Sequence, residues 1–288
     1  MTRLECTIED GVADVRLNRP DKLNALDRAM FTAIDDLGET LKRTSGVRAV
    51  VISGNGRGFC AGLDLAEFRA MSQDDTDGGT SDTWNPLLVK RGRTTHVGQH
   101  ICWVWHEIPV PVIAAVHGPA LGGGMQLALG ADIRIVAPDT VMRLMEVNWG
   151  LVPDQTGTVT LSRLVRPDVA LEIAVTGRAV NATEAVEIGL ATRLSERPRE
   201  NALRLASDIA SNSPDAVRAI KQLFTHARTA SEAEQFAEER RLIQSLIGTP
   251  NQHEAVAARL EKRLPVFVDS PVDPPQEHGK GAAHADQR

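Results

Sequence analysis

Tyrosine is absent from this 288-residue chain, and aromatic residues make up only 3% of it. Any chemistry that depends on a phenol as acid or nucleophile is therefore excluded. Cysteine is scarce: Cys6, Cys60 and Cys102 are odd in number and form no CxxC pair. They suit reduced thiols rather than a disulfide framework or a thiolate metal site. No stretch reaches the roughly 18 unbroken apolar residues of a transmembrane helix, and the N-terminus lacks the apolar core of a signal peptide. A cytoplasmic protein with no membrane association is expected. An excess of basic residues is also missing. Thirty-two Lys and Arg against 38 Asp and Glu leave a net charge of -6, which argues against a nucleic-acid partner. The short cluster Lys90, Arg91 and Arg93 reads as a solvated loop.

What is present is ordinary for a globular chain: 42% hydrophobic and 24% charged residues. That composition and length suffice to bury a core without disulfides. Leu4 to Ile8 and Val12 to Leu17 alternate in polarity around Asp10-Gly11, the pattern of a β-hairpin. Asp27 is placed to cap a helix whose apolar positions Met30, Phe31, Ile34, Leu37 and Leu41 keep helical spacing. Ala49 to Ile52, Pro111 to Val116 and Ile133 to Val136 are short, β-rich runs, each beside a helical segment. Alternating strands and helices indicate an α/β core. Helical spacing then dominates in Ala202 to Ala210, Ala216 to Phe224 and Ala233 to Ile247. The expected organisation is an α/β core over 1–195, a helical region over 196–264, and a flexible Pro- and Gly-rich tail over 265–288. A polar, Gly-containing stretch over 72–86 reads as a surface loop or a lid.

The sharpest feature is Pro111-Val-Ile-Ala-Ala-Val-His-Gly-Pro-Ala-Leu-Gly-Gly-Gly-Met-Gln, a buried strand running through Gly122, Gly123 and Gly124 into an apolar helix. Such glycines expose backbone N–H groups at a helix N-terminus, ready for an anion, or they serve equally as a tight turn with close helix packing. The spacing is neither that of a P-loop nor that of a dinucleotide-binding fingerprint. A second loop, Ser53-Gly-Asn-Gly-Arg-Gly-Phe-Cys-Ala-Gly-Leu-Asp-Leu, follows the strand at Val50. Two such loops after two parallel strands can each offer one N–H to the same oxygen, the geometry of an oxyanion hole.

Together, Asn18-Arg-Pro, Asn24-Ala-Leu, Phe59-Cys-Ala-Gly-Leu-Asp-Leu, Ala115-Val-His-Gly-Pro-Ala-Leu-Gly-Gly-Gly and Gly130-Ala-Asp-Ile-Arg resemble the crotonase, or enoyl-CoA hydratase/isomerase, superfamily. The resemblance runs from about residue 4 to residue 263. It implies a crotonase-like spiral of repeated ββα units with a helical C-terminal region that builds homotrimers, often paired into hexamers. It further implies an acyl-CoA thioester substrate whose oxygen is held by the N–H groups of Leu63 and Gly123. Lys22 to Ala25 and Ala61 to Leu65, including Asp64, would lie along the CoA moiety, mostly through backbone. No cofactor is implied, since CoA is part of the substrate.

The same resemblance directs attention to the acids. One hydratase glutamate corresponds to Gln126, which cannot move protons, and the other to Glu146. Eight residues on stands Asp154. Glu146 and Asp154, with Val-x-x-Gly-Leu between, are similar to the proton relay of delta(3,5)-delta(2,4)-dienoyl-CoA isomerases. Those enzymes, however, carry an aspartate where this chain has Gln126. Double-bond isomerisation is therefore expected slightly ahead of hydration, in which Gln126 would orient water for Glu146. A catalytically weak acyl-CoA-binding or RNA-binding member is the remaining reading, and the acidic composition counts against RNA. Trp84, Met145 and Trp149 are candidates for an acyl pocket, with core packing as the alternative. His96 and His100 lack the H-E-x-x-H pattern, so no metal site is expected. His117 is expected to pack or hydrogen-bond beneath the glycine loop, and Cys60 has no identifiable base.

Overall fold

Alternation around Asp10-Gly11 produces the expected hairpin. Strand β1 (Leu4–Glu9) pairs antiparallel with β2 (Val12–Leu17), with Leu4 opposite Leu17. Both turn residues have positive φ, 47° and 79°, the handedness that fits a two-residue hairpin loop. These features come from a computed structural model that describes residues 2–72 and 85–269. Helix α1 (Arg28–Leu41) starts at Asp27, whose carboxylate accepts from the Met30 N–H. Its apolar stripe Met30, Phe31, Ile34 and Leu41 is buried as the spacing predicts.

The chain then continues through β3 (Ala49–Gly54), α2 (Leu65–Ser72), α3 (Val97–Glu107), β4 (Val112–Val116), β5 (Pro119–Leu121) and α4 (Gly123–Leu129). Next come β6 (Ile133–Val136), β7 (Val141–Arg143), α5 (Gly157–Leu161), α6 (Pro167–Thr176), β8 (Ala179–Asn181), α7 (Ala182–Glu187) and β9 (Arg193–Leu194). One sheet has the order β1-β2-β3-β4-β6-β9 and is parallel from β2 onward. A smaller sheet has the order β5-β7-β8. The units β4-β5-α4 and β6-β7-α5 each give one strand to each sheet, which is the repeated ββα pattern of the expected spiral fold. The three-residue strands of the small sheet are too short to show alternation, so the sequence did not announce them.

Strands β3 and β4 are buried on both faces, as parallel strands usually are. Val50, Ile52, Val112, Ala114 and Val116 face the main core, whereas Ala49, Val51, Ile113 and Ala115 pack against Ala202 and Ala206. Those two alanines belong to α8 (Pro198–Ala210), which covers the sheet's second face. Helices α9 (Pro214–His226), α10 (Glu232–Leu246) and α11 (Pro250–Glu261) follow. The helical region expected over 196–264 covers α11, although no apolar spacing singled this helix out. Its start is marked by capping chemistry, Thr249 accepting from Gln252 with Pro250 at the first position, rather than by apolar spacing. Among the described residues no helix is long and apolar enough to cross a membrane.

Two charged groups differ from the sequence reading. Lys90 and Arg93 are not free in a solvated loop: both bind the buried Asp35, and Arg93 also reaches Glu39 at 3.2 Å. Burial pushes the Asp35 carboxyl up, but these cations outweigh it and hold its pKa below the usual value. His100 is buried beside Glu39 (3.0 Å) in the same network, and Lys42 bridges Glu39 and Glu107. At the end of α3, Lys221 of α9 is buried against Asp132 at 2.7 Å. It also donates to the carbonyls of Trp105 and Val110. His106 lies beside Arg228, and burial together with that cation lowers its pKa to about 4.

A histidine held neutral in the fold takes up its proton sooner once unfolded. Stability contributed at His106 is thus intact above about pH 6.5 and lost as the pH falls towards about 4. Denaturant unfolding across this window is expected to show declining stability, with a smaller decline in His106→Gln. An unchanged slope in the variant would remove His106 from the explanation.

Candidate functional site

The centre of the site is built from three backbone segments laid side by side. Ala61 N–H donates to the Leu23 carbonyl (2.9 Å), Leu26 N–H to Gly62 (2.7 Å) and Asp64 N–H to Leu26 (3.0 Å). On the other side, Cys60 N–H donates to Pro119 (3.1 Å) and Leu121 N–H to Cys60 (3.0 Å). Glycine makes this approach possible. A Cβ on Gly62, where φ is +82°, would lie 2.5 Å from the Leu121 carbonyl oxygen, and one on Gly124 would lie 2.1 Å from that of Cys60. Leu63 is the residue bridged to Leu26, and Gly123 stands two residues after Leu121. Among the described residues, neither of their N–H groups has a protein acceptor.

Asn24 locks the arrangement. Its side chain is fully buried, and Nδ2 faces the carbonyls of Asn55 (2.9 Å), Gly58 (2.9 Å) and Phe59 (3.1 Å). Its Oδ1 accepts from the Arg19 N–H at 2.8 Å. The amide thereby ties the first glycine loop to the segment that holds Lys22 and Ala25. Asp64 receives the Ala66 N–H and pairs with Arg19, and these bonds hold its carboxyl below the usual range. Its side chain is thus engaged within the protein. Lys22 and Leu65 are exposed, Ala61 is half-buried and Ala25 is buried.

Glu146 opens a single 3-10 turn, Glu146–Trp149, that follows β7. Its Oε1 accepts from Gln126 Nε2 at 2.6 Å. A Cβ on Gly122 would lie 3.4 Å from the same oxygen, which puts the carboxylate beside the glycine turn. The orientation of the Gln126 amide is set from the other side. Its Oε1 accepts the N–H groups of Gln155 (2.9 Å) and Gly157 (2.8 Å), so its NH2 must face Glu146. Gln126 itself is fully buried. Glu146 Oε2 is buried too, and among the described residues it has no partner.

Burial raises the Glu146 pKa, and the charge of Asp154 pushes the same way, while Gln126 and backbone N–H groups oppose. Asp154 is exposed as a residue, yet its carboxyl is desolvated enough to raise its pKa, with His96 acting against this. Burial, then the charges of Cys60, Asp154 and Glu146, push the Cys102 thiol well up. Glu146 and Asp154 are thus two carboxyls whose burial raises their pKa values, the kind of perturbed group that proton transfer uses.

The remaining candidates have structural partners. Cys60 is buried, its thiol pushed up to about 12 by burial, and it donates to the Asn24 carbonyl. His96 caps α3 and contacts the Pro86 carbonyl at 2.9 Å, whereas His100 is turned to Glu39. His117 bonds the Gly56 carbonyl in the first glycine loop, as expected. Met145 is half-buried and precedes the acid turn, and Trp149 stacks on Phe68 with ring centroids 4.5 Å apart. Trp84 lies outside the described residues, as does most of the 72–86 stretch. Neither Asn24 as a loop tie nor Phe68 as the partner of Trp149 emerged from the sequence. The Asn24-Ala-Leu motif was the only signal for the former, and none existed for the latter.

A family profile described as enoyl-CoA hydratase/isomerase matches residues 7–270. The 2,3-dehydroadipyl-CoA hydratase of Escherichia coli is 32% identical over 269 residues, covering 93% of this chain and 99% of that protein. The mouse enoyl-CoA hydratase domain-containing protein 2, mitochondrial, is 34% identical, covering 90% of this chain and 84% of that protein. The crystal structure of enoyl-CoA hydratase from Bacillus anthracis superposes with a TM-score of 0.81 at 29% identity, covering 92% and 98% of the two chains.

Removing the Asn24 amide strands one N–H and three carbonyls. Asn24→Ala is expected to cost about 3 kcal/mol of stability and to loosen the loop that carries Leu63. A thermal melt within a degree of wild type would contradict the role assigned to this side chain.

Proposed function

The chain belongs to the enoyl-CoA hydratase/isomerase family, and on that premise we propose that it shifts protons along an enoyl- or dienoyl-CoA, with Glu146 and Asp154 as the acids. In this reading the Leu63 and Gly123 N–H groups receive the thioester oxygen as it gains enolate charge, an interaction worth several kcal/mol in such sites. The two carboxylates then take a proton from one carbon and return one to another, titrating as a coupled pair. The proton shift needs no group beyond the CoA that is part of the substrate. Lys22, Ala25, Ala61, Asp64 and Leu65 would border the CoA and Trp149 the acyl chain.

The observation that carries the reading is the Gln126 amide. It donates to one oxygen of Glu146 and leaves the other, buried and unpartnered, as the oxygen that exchanges the proton. With an amide in place of a second carboxylate here, the second acid is Asp154. That favours double-bond isomerisation over the addition of water. Hydration is the second reading, favoured by the hydratase names of the relatives, and there Gln126 helps to orient water for Glu146. Exposed apolar residues Phe236, Ile243, Ile247, Leu260 and Leu264 support burial of the C-terminal helices in a homotrimer or hexamer.

Product masses from a panel of 2-enoyl-, 3-enoyl- and 3,5-dienoyl-CoA thioesters separate the readings, because hydration adds the mass of water and isomerisation adds none. Glu146→Gln is expected to lose about 100-fold or more in kcat. Asp154→Asn should abolish isomerisation, while Gln126→Glu should raise water addition. The gain would be limited, because two carboxylates at hydrogen-bond distance must share a proton. Hydration that falls with Asp154→Asn and does not rise with Gln126→Glu would overturn the isomerase reading. Because burial raises Glu146, the acid limb of kcat/KM should lie above pH 4.5, the ordinary glutamate value. A limb at or below that value would contradict the burial of the acid.

A further inference from the structure

The aromatic pair Phe68 and Trp149 joins the two elements that carry the chemistry. Trp149 is the last residue of the Glu146–Trp149 turn. In a 3-10 helix residues three apart eclipse, so Glu146 and Trp149 leave the turn on the same side. Phe68 lies in the first turn of α2, with its N–H on the Asp64 carbonyl at 3.3 Å. It therefore sits one turn beyond Leu63. The two rings meet at 4.5 Å with an interplanar angle of 17°, a stacked contact with no slot between them. Leu65, Val147, Leu151 and Val152, close in sequence to one ring or the other, are exposed apolar residues. The pair thus stands between the helix that follows Leu63 and the turn that begins at Glu146.

We propose that the Phe68–Trp149 stack is the far wall of the acyl subsite and restricts the enzyme to short acyl groups. This rests on the acyl-CoA reading above. A short chain ends before the rings. A long one must part them, and the loss of one stacked aromatic contact corresponds to about 3- to 10-fold in binding. Phe68→Ala opens the wall, whereas Phe68→Tyr keeps a ring in the stack.

Calorimetric titration with butanoyl-, octanoyl- and dodecanoyl-CoA, which lack the reactive double bond, tests the wall without turnover. The ratio of dodecanoyl to butanoyl Kd is expected to fall about 3- to 10-fold in Phe68→Ala and to stay at the wild-type value in Phe68→Tyr. Near-ultraviolet circular dichroism checks that each variant is folded. Should Phe68→Ala fail to fold, Phe68→Leu, which keeps apolar bulk but no ring, is titrated in its place with the same expected fall. An equal ratio in all three proteins overturns the wall but leaves the acyl-CoA reading standing. Failure of the wild type to bind any of the three thioesters overturns both.

Discussion

The site depends on one steric constraint: three backbone segments must approach more closely than any Cβ would allow. The Gly62 and Gly124 positions leave 2.5 Å and 2.1 Å between a hypothetical Cβ and the opposing carbonyl oxygens, far inside van der Waals contact. Because those glycines let the segments bridge, Leu63 and Gly123 are held on adjoining segments, and among the described residues neither of their N–H groups has an acceptor. The parallel strands β3 and β4 deliver the two loops to the same edge of the sheet. Asn24 then ties down the first loop, its Nδ2 facing three loop carbonyls while its Oδ1 accepts from the Arg19 N–H. Donors fixed in this way need no rearrangement when charge develops, and this is the basis of their effect on a reaction barrier.

Against that rigid frame, Gln126 changes the chemistry available. An amide in this place is simultaneously an acceptor for two backbone N–H groups and a donor to Glu146, so it serves as both loop clip and orienting group. A carboxylate would satisfy the same backbone donors but would confront Glu146 with a second negative charge. The pressure on Glu146 comes instead from burial and from Asp154, both of which raise its pKa. In the proposed function this arrangement, one oriented acid with a second nearer the solvent, serves as a proton relay.

The sequence made much of this legible. Alternation located the hairpin, helical spacing and Asp27 located α1, and the glycine runs located both loops, because each is a local signal with a steric or capping cause. What stayed hidden is nonlocal. Lys90 and Arg93 read as solvated because nothing in the sequence announces the buried Asp35 that they bind across more than 50 residues. The strands of the small sheet carry too few residues for a period, and α11 reveals itself only through Thr249 and Pro250. The Phe68–Trp149 stack joins a short helix to a turn, and no periodicity connects the two.

The proposed reaction requires that the two N–H donors and Glu146 generate an enolate. Its most direct test is exchange of the α-hydrogens of a bound acyl-CoA in deuterium oxide, followed by mass spectrometry. Wild type is expected to incorporate deuterium at the α-carbon, and Glu146→Gln to lose that exchange while still binding the thioester. Binding without exchange in the wild type, or equal exchange in Glu146→Gln, would contradict it.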